Sequence, residues 1–88
     1  MKVLLTGLIL AASLAGAATA GGPAVRVGRG AARAAALRLR PGEVQKAELE
    51  WEKGGSGRRW SFDIRTASGV FEVGIDAVTG RVLENGPA

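Results

Sequence analysis

The sequence predicts an α+β domain, one N-terminal helix packed on a four-stranded antiparallel β-meander, behind a cleavable secretory leader. Three observations carry this reading. Apolar residues recur at helical spacing from Ala31 to Arg40 and at every second position from Val44 onward. Pro41-Gly42 separates the two regimes. Gly54-Gly55-Ser56-Gly57, Ser68-Gly69 and Asp76 to Gly80 then supply three reversals that cut the second regime into four short strands.

The leader comes first. Met1-Lys2 is a short positive start, Val3 to Leu14 is almost wholly apolar, and Ala18-Thr19-Ala20 is a small-x-small cleavage site. Residues 1–20 therefore read as a signal peptide cut after Ala20, which sends the protein to the periplasm or the exterior. An apolar core of about 12–18 residues is short for a span, which needs about 20. Residues 21–24 read as a flexible leader, 25–85 as the domain and 86–88 as a tail. The chain has no cysteine, so an oxidising compartment adds no disulfide to a domain small enough to bury only about 60% of its unfolded surface.

Without Lys2 the chain carries 11 basic and 8 acidic side chains, a net +3, and they are unevenly placed. Arg26, Arg29, Arg33, Arg38 and Arg40 precede Gly42 with no acid among them, whereas Glu43 to Ala88 holds all eight acids and six bases. This gives a basic arm on a mildly acidic body.

Ala31 to Arg40 consists almost entirely of Ala, Leu and Arg, strong helix formers, and predicts a helix of about 10–14 residues. Ala32, Ala35, Ala36 and Leu39 make its apolar stripe. Pro41 ends it, and Pro41-Gly42 suits the centre of a type II turn.

In the strands, Ala47, Leu49 and Trp51 oppose Lys46, Glu48, Glu50 and Glu52 in facing; Trp60, Phe62 and Ile64 do the same against Arg59, Ser61, Asp63 and Arg65. Charge matching suggests a register with Glu52 opposite Arg59, Trp51 opposite Trp60 and Leu49 opposite Phe62. A Ser68-Gly69 turn then sets Arg65 opposite Glu72, Ile64 opposite Val73 and Phe62 opposite Ile75, and Val82 or Leu83 closes the sheet. The helix is expected over Trp51, Trp60, Phe62, Ile64, Phe71, Val73 and Ile75, with the other face polar and solvated.

These residues carry a family resemblance. Pro41-Gly42-Glu43-Val44, Ala47-Glu48-Leu49-Glu50, Trp60-Ser61-Phe62-Asp63-Ile64 and, most specifically, Ile75-Asp76-Ala77-Val78-Thr79-Gly80-Arg81-Val82 resemble the PepSY domain of peptidase propeptides and small exported proteins. The resemblance implies an exported module that binds or restrains a peptidase without an activity of its own. Two departures stand out: a helix rich in Arg and Ala, and Gly74 where a bulkier strand residue is expected.

The residues themselves point away from catalysis. Without His or Cys there is no Ser-His or Cys-His pair, and Ser56, Ser61 and Ser68 have no evident base. Glu48, Glu50 and Glu52 alternate on a wet strand face. Asp76 and Thr79 could hold a hard cation, but Asp76 reads better as a turn residue that accepts N–H groups of its own turn, with Gly80 left-handed. No catalytic set, metal or cofactor is expected. Trp51 and Trp60 read as core, or as a patch beside a Gly-rich loop. For partners, the alternatives are a peptidase or other exported protein, reached at a sheet edge, and an anionic surface reached through the five arginines; nucleic acid is not expected.

Overall fold

A computed structural model describes residues 22–88; the expected signal peptide lies outside the described residues. Helix α1 (Arg29–Leu39) is followed by strands β1 (Glu43–Trp51), β2 (Arg58–Thr66), β3 (Gly69–Asp76) and β4 (Val82–Pro87). The strands form one antiparallel sheet in the order β1-β2-β3-β4, so the expected α+β meander is the observed fold. β4 runs two residues past the expected domain edge at 85, and the Ala88 N–H donates to the Val70 carbonyl at 3.0 Å.

Gly28 takes the N-cap of α1 without a side-chain cap. The backbone before it does the anchoring instead: the N–H groups of Arg26 and Val27 both donate to the Ala77 carbonyl at 2.9 Å, and the Trp60 indole Nε1 donates to the Val27 carbonyl at 2.7 Å. Ala32 and Ala36 are fully buried, and their single methyl groups let the helix sit close on the sheet. Leu39, expected on the stripe, is 41% exposed, while Leu37 packs at the core margin. The helix rests on β2 and β3, so its last residue gains little from lying on the apolar side. Gly30 is the second residue of α1, with open space where a Cβ would stand. Gly30→Ala is therefore expected to raise stability by about 0.5–1 kcal/mol, read as a higher urea midpoint at unchanged slope.

Trp60, Phe62 and Ile64 of β2, Val73 and Ile75 of β3, and Ala77 complete the core beneath the two helix alanines. Burying each large apolar side chain contributes about 1.5–3 kcal/mol. Two expected core residues differ. Trp51 is 59% exposed because β1 is an edge strand beyond the helix, and the Arg58 guanidinium lies 4.1 Å over its ring. Phe71 is half-buried, with the Arg40 guanidinium 3.8 Å from its ring centre.

Both hairpin registers differ from the charge-matched ones by two residues. Leu49 faces Trp60, Ala47 faces Phe62 and Glu50 faces Arg59. Phe62 faces Val73, Trp60 faces Ile75, Asp63 faces Glu72 and Arg65 faces Val70. A two-residue shift keeps every side chain on its face, so the apolar pairing survives and only the ion pairs change. Arg65 now lies 3.9 Å from Glu43 rather than opposite Glu72. The β2–β3 turn is centred on Ala67 and Ser68, and Gly69 follows at φ +126°. Thr66 Oγ1 fixes this turn, accepting from the Ser68 N–H and donating to the Gly69 carbonyl. A primed turn is not formed, because neither central residue has positive φ.

Gly42 likewise has no positive φ, so Pro41-Gly42 is not the expected type II turn. The outer sheet face also departs from expectation. Arg59 and Ser61 are buried there at 6% and 7% exposure. A Cβ on Gly74 would lie 3.2 Å from Arg59 Nη1 and 3.3 Å from its Cδ, which accounts for a glycine at this strand position.

Candidate functional site

Asp76 ends β3 and is fully buried. Its Oδ1 accepts from the Val78 N–H at 2.8 Å, the Thr79 N–H at 3.0 Å and the Ser56 hydroxyl at 2.8 Å; its Oδ2 accepts from the Ser56 N–H at 2.7 Å. The Gly80 N–H donates to the Asp76 carbonyl at 2.9 Å, with Gly80 left-handed at φ +81°. The within-turn bonds are those expected for this motif. The contact to Ser56, 20 positions away, joins the β1–β2 loop to the β3–β4 turn. Burial alone pushes the carboxyl up, yet the Ser56, Val78 and Thr79 N–H groups and the Ser56 hydroxyl outweigh it and hold the group well below the usual carboxylate range. Three of these four bonds converge on Oδ1 and one on Oδ2, and every donor comes from the two loops that the carboxylate joins. Asp76 is a structural clasp, and among the described residues no three acidic, His or Cys side chains converge as metal ligands.

The five arginines flank or lie on α1, and two of them are engaged within the molecule. Arg29 lies 5.5 Å over the Trp60 ring. Arg40, besides covering Phe71, donates from Nε to Asn85 Oδ1 at 2.8 Å. Arg26, Arg33 and Arg38 are exposed.

The opposite face of the sheet is acidic. Cross-strand rows place Glu48, Ser61, Gly74 and Glu84 in line, with Lys46, Asp63, Glu72 and Gly86 beside them. Ser61 Oγ donates to Glu72 Oε2 at 3.0 Å. Arg59 crosses this surface, with Nη2 donating to the Lys53 carbonyl at 3.2 Å and Nη1 3.9 Å from Glu52. Lys46 lies 3.7 Å from Glu48. Burial, a hydrogen bond with Glu48 and the charges of Glu48, Glu52 and Glu72 push the Glu50 carboxyl above its ordinary value. The sequence divides basic arm from acidic body; the fold turns that division into two opposite faces of one domain. The buried position of Arg59 and the Ser56–Asp76 contact were not visible in the sequence, although a serine held among three glycines was the available signal for the second.

The residues thus define a small helix-on-sheet module with charge-divided faces and an internal carboxylate clasp at its most specific motif. The family model for the peptidase propeptide and YPEB domain, PepSY, matches residues 27–85, and the chain belongs to this family. Searches of curated proteins and of solved structures returned no significant match. PepSY domains are generally non-catalytic, propeptide-like modules, typical of exported proteins. No helix among the described residues is long and apolar enough to cross a membrane.

Proposed function

We propose that this protein is an exported, non-catalytic binding module that modulates or restrains a secreted or periplasmic peptidase. The observation that carries the reading is the family match over 27–85, which takes in the helix and nearly the whole sheet. Its physical support is that the most specific motif, around Asp76, is spent on holding loops together, leaving surfaces and not a reactive centre for the protein to work with. Residues 1–20 direct export, and cleavage after Ala20 leaves a chain beginning at Gly21. The anionic-surface alternative has less to draw on, since Arg29 and Arg40 are turned to aromatic rings of the domain itself.

Crosslinking in cells that produce the full chain, followed by purification through a C-terminal tag, is expected to capture an exported peptidase. Hydrolysis of a peptide substrate by that enzyme should then change in proportion to added module. Capture of no peptidase, or a captured enzyme whose rate does not respond, overturns the reading.

A further inference from the structure

We propose that the free edge of β1, from Lys46 to Trp51, is the docking surface, and that its occupant is an extended partner segment alternating apolar residues with Lys or Arg. This deepens the peptidase-binding reading and rests on it. Three features of the edge select that chemistry.

First, among the described residues β1 is paired on one side only, by β2, and after the irregularity between Val44 and Lys46 its pairing is regular through Trp51. A regular unpaired edge can accept an added strand by main-chain hydrogen bonds. The opposite edge is a poor template, because β4 is six residues long, has a register shift near its start and ends in proline.

Second, the two sides of the edge differ. Ala47, Leu49 and Trp51 point to the helix side, where Ala47 and Leu49 are half-buried and Trp51 is exposed apart from the Arg58 guanidinium over its ring, since α1 rests chiefly on β2 and β3. Glu48 and Glu50 point to the acidic side. Glu50 has no ion-pair partner within 4 Å among the described residues, and the carboxylates of Glu48, Glu52 and Glu72 crowd it. A strand laid beside β1 sets alternate side chains against an apolar shelf and against carboxylates.

Third, charge weighs against the symmetric pairing of two copies centred on Leu49, the middle of this edge. Two β1 edges paired antiparallel about Leu49 bring Glu48 of each copy opposite Glu50 of the other, and like charges directly opposite are unfavourable. Cations opposite the same positions are favoured.

The test titrates protein purified after expression of the full chain with three peptides, followed by amide chemical shifts and calorimetry. One peptide alternates Val and Lys, one alternates Val and Glu, and one is the Val-Lys peptide with a central proline. The Val-Lys peptide is expected to move amides of Lys46 to Trp51 and to bind about tenfold or more tightly than the Val-Glu peptide. The proline version should lose binding, because the ladder is broken. Glu48→Lys with Glu50→Lys, both on the open face, should reverse the preference, and Glu48→Lys alone should move it the same way. Shifts centred on α1 or β4, equal binding of the proline peptide, or a concentration-dependent dimer through β1 each overturn the proposal. A peptidase captured equally well by the doubly substituted protein overturns this edge while leaving the binding-module function standing. Capture of no peptidase removes that function, and the titration still decides whether the edge takes a strand.

Discussion

Asp76→Ala is expected to leave the domain largely unfolded at room temperature. The substitution strands three backbone N–H groups and the Ser56 hydroxyl, all directed at the carboxylate now. Removing one partner from a buried charge-assisted network costs roughly 3–5 kcal/mol. A single core in a chain of this size supplies about 3–5 kcal/mol. Urea unfolding followed by tryptophan fluorescence checks this, with Trp60 in the core as the reporter. Asp76→Asn should be milder, since one oxygen can still take the Oδ1 bonds, while the amide NH2 then faces the Ser56 N–H. A midpoint for Asp76→Ala within error of the parent would show that the clasp holds nothing.

The same group fixes a pH dependence. Its folded pKa is depressed, so its contribution is fully present above the unfolded value of about 3.9 and is lost as pH falls through the folded value. Stability should thus be insensitive to Asp76 from neutral pH to about 5 and decline below about 4, and that decline should be smaller in Asp76→Asn. Glu50 has the opposite sign: its raised pKa means that protonation relieves crowding in the folded state. Being half-exposed, it adds a small counter-slope above the acid limb.

What the sequence made legible was whatever has a period. The switch from helical to alternating spacing located α1 and all four strands, and alternation put Phe62, Ile64, Val73 and Ile75 on the buried face. Alternation determines register only modulo two, and the exposed charges used to choose among the remaining registers are worth a few tenths of a kcal/mol each. The true choice is made by contacts without local signature. The Ser56 link to Asp76 fixes one loop, and Thr66 binding its own turn fixes the next. Trp51 departs from its expected place for a related reason, since alternation gives the face of a residue and says nothing of how far across the sheet the helix extends. The Asp76 turn was legible because its bonds to Val78 and Thr79 are local; its bond to Ser56 was not.

Gly42→Ala is the second large effect, and its cause differs from the one its Pro-Gly setting suggests. Position 42 has no positive φ, so alanine meets no dihedral penalty there. A Cβ would instead collide with the Arg65 carbonyl oxygen and stand 3.0 Å from Ile64 Cγ2. Neither neighbour can give easily: the carbonyl belongs to the β2 backbone, and Ile64 is fully buried in the core. The chain leaving α1 must therefore move away from β2 just where β1 begins to pair with it, beside the Glu43–Arg65 pair. Overpacking of this kind costs about 1–3 kcal/mol and more where backbone is involved. Gly74→Ala is the internal comparison. Its Cβ would meet the Glu84 Cβ at 3.1 Å and the Arg59 side chain at 3.2 Å, gaps that close with a shift of a few tenths of an ångström, whereas the Cβ at position 42 would overlap a ladder carbonyl outright. The urea midpoint should accordingly fall further for Gly42→Ala than for Gly74→Ala. The reverse order would mean that the helix-to-sheet connection is free to move, and that the packing of α1 on β2 and β3 does not depend on the path the chain takes between them.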